Sequence, residues 1–158
     1  MSPKMTTPID KLREYGYELP MPKAPVASYQ PVTRVGNLIY VSGQISSGAD
    51  GVVVAGQLGE TMNVVQGGNA AELCAVNLLA QLVHVAGVRL EDIKQIVKLT
   101  VFVSSAPEFA EQHLVANGAS NLLIGVLGDR GRHARSAIGV AGLPRGAAVE
   151  VEAIVEVA

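Results

Sequence analysis

The residues best suited to chemistry lie in the last third of the chain. Arg130, Arg132 and Arg135 fall close together, His133 lies two residues before Arg135, and Glu150, Glu152 and Glu156 follow in a valine-rich run. A guanidinium is a rigid planar fork that can hold a carboxylate through two parallel charge-assisted hydrogen bonds, which lysine cannot imitate. An arginine at a strand start is therefore a good anion clamp. On spacing alone, the plainer reading is that the arginines are solvated loop charges and the glutamates the wet face of an edge strand. His84, His113 and His133 are too far apart to pair at the i, i+4 spacing that sets two metal ligands on one helical face.

Several chemistries are missing their motifs. The chain has no GxSxG elbow, no GxxxxGK[ST] phosphate loop, no HExxH and no GxGxxG, which removes triad hydrolase, nucleotide kinase, zinc peptidase and dinucleotide readings. Net charge is −2 and aromatic residues make up 4% with no Trp, so neither a positive field nor a stacking platform favours nucleic acid. Cys74 is the single cysteine, which excludes an intrachain disulfide and a multi-cysteine metal site and suits a reducing compartment. It falls on the apolar face of a helix and is expected in the core. With no apolar run long enough for a signal peptide or a membrane span, the chain is expected to be soluble and cytoplasmic.

The elements that must position these residues follow from periodicity. At 158 residues and 49% hydrophobic content, one domain with a real core is expected. Residues 1–28 hold five of the eight prolines and read as an appended arm, with a short helix over Ile9–Tyr15 opened by Pro8 and stopped by Gly16; residues 29–158 form the domain. YQPVTRV and LIYVSGQI flank a Gly36-Asn37 turn signal, and GVVVAG from Gly51 reads as a third strand of a meander. Apolar residues at 70, 73, 74, 78, 82 and 85 predict a helix over 69–86, with Gly87 as its stop. Ile93–Ser104 alternates as a central strand with Val97, Leu99, Val101 and Val103 on one face. Ser105 and Glu108 have capping-box spacing, which predicts a second helix bent or interrupted at Gly118. Two more strands, ARSAIGVAG and AAVEVEAIVEV, are read as a hairpin through Leu143–Gly146. The order βββαβαββ is an α+β layout, a mixed sheet with two helices on one face.

Three ordered blocks resemble the RidA/YjgF family, also called endoribonuclease L-PSP. They are Tyr29, Gly36-Asn37 and Val41–Ile45 with the tyrosine thirteen residues before Ser42; Gly87–Leu90 with Val97–Val103; and Ala134–Ser136 with Leu143-Pro144 and Val149–Ile154. The resemblance implies a chorismate-mutase-like fold assembled as a homotrimer around a central barrel, with clefts at subunit interfaces. It further implies hydrolysis of enamine and imine intermediates such as 2-aminoacrylate to 2-oxo acids and ammonia, without cofactor or metal. By position, Arg135 would clamp the substrate carboxylate and Glu150 would hold or activate water. Tyr29, Ser42, Gly43 and Asn117 would line the cleft, and His133 is a further candidate. Ala137 stands where the family often has cysteine, so thiol-dependent behaviour is not expected. The arm and the 125–133 region resemble a separate YjgF-like subgroup. A non-catalytic trimer that binds a small carboxylate is the competing reading; endoribonuclease activity is disfavoured by the acidic balance and few aromatics. A membrane partner is not expected.

Overall fold

In the computed structural model, which describes residues 5–25 and 27–158, five strands form one mixed sheet with the helices on one face. Residues 1–4 and Val26 of the expected arm lie outside the described residues. Strands β1 (Val32–Val35) and β2 (Leu38–Ile45) form an antiparallel hairpin. Gly36 takes φ +58° at its turn, a left-handed conformation that glycine adopts without a Cβ clash.

The run from Gly51 does not add the expected third strand. It contributes only isolated bridges, Ser47 to Val53 and Ala55 to Ala147, because Gly51 and Gly56 both take positive φ, +79° and +154°, and break the extended ribbon. Helix α2 spans Val64–His84, starting earlier than the apolar period indicates. Asn63 Oδ1 accepts from the Gln66 amide (2.9 Å) while Gln66 Oε1 accepts from the Asn63 amide (3.0 Å). This reciprocal cap satisfies two donors at the helix start and carries the helix through Gly67 and Gly68.

Strand β3 (Ile93–Ser104) is an interior strand, between β5 and β4, but two register shifts against β5 disturb its first half. Ile96 pairs with Val155 and Lys98 with Ile154, so Ile96 is buried and Val97, expected on the core face, is 39% exposed. An inserted residue reverses the faces before it, and the second shift, between Ile93 and Gln95, reverses them again, so Ile93 is buried and Lys94 exposed. Helix α3 spans Gln112–Leu127. Ser105 does not cap it: its Oγ donates to the Val103 carbonyl (2.8 Å) and accepts from Gln112 Nε2 (3.3 Å). The helix also runs unbroken through Gly118.

The last two strands, β4 (Ala134–Val140) and β5 (Val149–Val157), are not a hairpin. Sheet order is β1-β2-β5-β3-β4, with β4 parallel to β3 and β5 antiparallel to both β2 and β3. A parallel pair needs a crossover, and α3 supplies it, leaving β4 at the sheet edge. The core lies between the sheet and α2 with α3: Leu78, Leu79 and Leu82 belong to one buried cluster with Leu99, Val151 and Val155. In the arm, helix α1 (Pro8–Glu14) starts with a Thr7–Asp10 capping box and sends Leu12, 1% exposed, into the same core. Among the described residues no helix is long and apolar enough to cross a membrane.

Cys74 is fully buried, as its helical position indicates, and its thiol donates to the Val149 carbonyl at 3.4 Å. Burial, reinforced by the nearby Glu150 charge, holds its pKa well above the usual thiol value, which starves the site of reactive thiolate. The folded protein at neutral pH is expected to resist a maleimide for as long as the urea-unfolded chain takes to label completely. Stoichiometric labelling of the folded chain on that timescale would contradict this burial.

Candidate functional site

The sequence-derived candidates separate into two groups on opposite faces of the sheet. Across the strands, Arg135 pairs with Leu99, and Leu99 with Ala153, both of which are buried on the helix side. Glu150 pairs with Phe102, three residues along, and an odd offset reverses the face.

On the helix face, Arg135 is splinted by α3. Nη1 donates to Asn117 Oδ1 (2.9 Å) and Ser120 Oγ (3.0 Å), and Nη2 to the His113 carbonyl (3.1 Å). A guanidinium has five N–H donors, so the bonds to these three acceptors leave Nε–H and one Nη2–H, on adjacent nitrogens. No carboxylate pairs with Arg135 among the described residues. Its charge is fixed in direction and available to an external anion.

His133 extends this splint. Its Nδ1 lies 2.6 Å from the Gly131 carbonyl and must donate there, so Nε2, 2.8 Å from Ser120 Oγ, accepts the hydroxyl proton. Ser120 Oγ is then left as acceptor for Arg135, and the polarity of the chain His133–Ser120–Arg135 is fixed. Burial lowers the His133 pKa; the Gly131 bond opposes that shift and the Arg135 charge adds to it, consistent with a neutral ring. His133, Ser120 and Arg135 border a pocket of about 200 Å³.

Glu150 points to the other face and stands, with Tyr29 and Gly43, at a cleft of about 310 Å³ that reaches past β2 to Asn77 and Gln81 of α2. β2 carries an extra residue between Val41 and Gln44 relative to β5, and this bulge brings Gly43 under the carboxylate. A Cβ at Gly43 would lie 2.8 Å from Glu150 Cδ and 2.9 Å from Oε2, so any larger residue there would push the carboxyl out of this position. Burial raises the Glu150 pKa, with a smaller push from Glu152. Ser42 serves the cleft indirectly: its Oγ donates to the Gln30 carbonyl (2.6 Å) and its amide to the Pro31 carbonyl (2.9 Å), anchoring the segment that carries Tyr29. Ser120, Gln44, Asn77 and Gln81 escaped the sequence reading. Only their place one helical turn from a recognised residue, or beside Gly43, could have signalled them.

A profile of the Endoribonuclease L-PSP family matches residues 21–157. The chain belongs to that family. It is the RidA/YjgF-like family indicated by the three sequence blocks. Protein TCP17 of Trypanosoma cruzi is 46% identical over 146 residues, covering 92% of this chain and 91% of that protein. A 2-iminobutanoate/2-iminopropanoate deaminase of Dermatophagoides farinae is 29% identical, covering 86% of this chain and 91% of its own length. Among solved structures, protein Atu1372 of Agrobacterium tumefaciens superposes with a TM-score of 0.89 at 48% identity, covering 96% of this chain and 92% of that one. The match to Atu1372 includes the arm, since it leaves only 4% of this chain uncovered. The L-PSP fold, a mixed sheet with its helices on one face, is thus common to the chain and its relatives.

Proposed function

We propose that this L-PSP protein hydrolyses small 2-imino acids and their enamine tautomers to 2-oxo acids and ammonia. The observation that carries the reading is the splinted, carboxylate-free guanidinium of Arg135, complemented by a half-buried carboxyl of raised pKa at Glu150. The named deaminase among its relatives supports the reaction class.

Within one subunit the two groups point away from each other, so the reading places the reaction between copies of the chain. β4 is an edge strand, and in a homotrimer Arg135 of one copy would reach the Glu150 cleft of the next. Arg135 would bind the substrate carboxylate through its two remaining donors. Glu150 would take a proton from water as the oxygen adds to the protonated imine carbon, return it to nitrogen as the C–N bond breaks and ammonia leaves, and take up the hydroxyl proton as the carbonyl forms. A carboxyl whose pKa is raised toward neutrality suits both transfers. Because a protonated imine is already electrophilic, orientation and a placed water suffice.

The test is ammonia release from 2-aminoacrylate generated enzymatically, with wild type and Glu150→Gln. Wild type is expected to accelerate release and Glu150→Gln to lose about 10²-fold or more, the scale of general acid–base catalysis. No acceleration by wild type across several imino acids would sink the reading in favour of carboxylate binding alone. The same variant has a stability signature. A folded-state pKa above the unfolded value contributes stability at low pH that is lost as pH rises through the folded pKa. Glu150→Gln is therefore expected to raise Tm at pH 7 relative to wild type and to gain nothing at pH 3.5, measured by calorimetry.

A further inference from the structure

The Glu150 cleft has a second polar wall. Beyond Glu150 it is bounded by the arm, with Pro20, Met21 and Pro25 along one side, and by α2 on the other, where Asn77 and Gln81 lie one turn apart. Gln44 Nε2 donates to the Ser42 carbonyl (3.0 Å), which leaves Gln44 Oε1 to accept from Gln81 Nε2 (3.3 Å). The direction of this amide relay is thereby fixed, and it ends at Gln81 Oε1, which is buried with no partner among the described residues. Gln81 as a whole is only 6% exposed. Buried acceptors are nearly always satisfied, and one left unmade is costly. Asn77 is arranged the same way: Nδ2 donates to the Ile45 carbonyl (3.2 Å), the Ser47 carbonyl (3.0 Å) and Ser47 Oγ (3.3 Å), leaving Oδ1 as a second acceptor.

We propose that Gln81 and Asn77 form a specificity-determining subsite for the neutral –NH₂ of a primary carboxamide, so that the cleft takes a short acid whose far end is an amide. Residues four apart on a helix have Cβ atoms about 5–6 Å apart, a span that one nitrogen with two N–H donors can bridge. The charge around the cleft selects the neutral donor. Lys23 of the arm and Arg145 both line it, and a ligand ammonium would meet two like charges against the single carboxyl of Glu150. A hydroxyl has only one proton to give. The arm prolines offer no N–H of their own and leave the acceptors to the ligand. As a substrate class, amide-bearing imino acids rest on the proposed deaminase reading; the subsite itself does not.

Calorimetric titration of the full chain with glutaramate, monomethyl glutarate, glutarate and 5-aminovalerate separates the two. Glutaramate is expected to bind about tenfold tighter than the ester, which has no N–H to donate, the scale of one to two added hydrogen bonds, and tighter than the diacid or the amine. Gln81→Leu is expected to erase the amide preference while leaving the ester's Kd within about twofold, since the ester has no N–H to give the lost acceptor and the lost Nε2 bond to Gln44 Oε1 affects both ligands alike. Equal affinity for amide and ester in wild type, or preference for the amine, overturns the subsite even if 2-aminoacrylate is turned over. Amide preference without any ammonia release supports the subsite and sinks the deaminase reading instead. Should Gln81→Leu fail to fold, the ligand series on wild type decides alone.

Discussion

Arg135→Lys is expected to lower kcat/KM for ammonia release by about 10²- to 10³-fold, the cost of losing a preorganised charge-stabilising donor, while leaving the protein folded. The argument is geometric. Asn117 Oδ1, Ser120 Oγ and the His113 carbonyl hold the guanidinium at 2.9–3.1 Å, so its remaining donors face outward without paying orientational entropy at the moment of binding. An ammonium keeps the charge but has three rotatable donors and no planar fork. If it satisfied the same α3 acceptors, none of its N–H groups would remain for a ligand; if it turned toward a ligand, Asn117 and Ser120 would lose their donor. Activity and the Kd of a stable carboxylate should therefore fall together, with Tm within a few degrees of wild type. A lysine variant with wild-type turnover would show that charge alone suffices and that the splint is incidental.

What could be read from the sequence, and what could not, divides along the range of the interactions. The β1–β2 hairpin, the apolar faces of α2 and β3 and the buried Cys74 are local consequences of turn chemistry and periodicity, and each stands in the structure with small shifts. The errors come where two local signals compete. Ser105 and Glu108 have capping spacing yet do not cap, because Ser105 Oγ is engaged by Val103 and Gln112. Asn63 and Gln66 do cap, although two glycines just after them mask the helix start. Strand pairing is non-local, so nothing in Leu143–Gly146 distinguishes a hairpin from a chain passing over the end of β3. Arg135 and Glu150 were singled out by family resemblance more than by their spacing. Their placement on opposite faces emerges only from the register of three strands. The Gln44–Gln81 relay joins residues 37 apart in sequence and carries no motif at all.

Gly118 offers the sharpest separation between propensity and packing, and Gly118→Ala is expected to destabilise the protein by about 1–3 kcal/mol. Alanine in a helix interior ordinarily gains about 1 kcal/mol over glycine, which is why a glycine in the middle of an apolar stripe reads as an interruption. α3 instead runs straight through it, because Gly118 lies against the backbone of α2: a Cβ there would come within 2.7 Å of the Gly68 carbonyl carbon and 2.9 Å of its Cα. Backbone cannot move aside as a flexible side chain does, so the helices must separate, and the core between them loses contact. For a chain of this size the loss corresponds to a fall in Tm of roughly 3–12 °C. Asn117 and Ser120 flank Gly118 on α3, so the same displacement moves two of the three supports of Arg135, and turnover should fall with stability. Gly68→Ala is the control. A Cβ at Gly68 meets nothing within 4 Å, so alanine there is expected to keep activity and raise stability by up to about 1 kcal/mol, read from parallel urea melts. Comparable losses in both variants would mean that the helix crossing is looser than its backbone contact indicates.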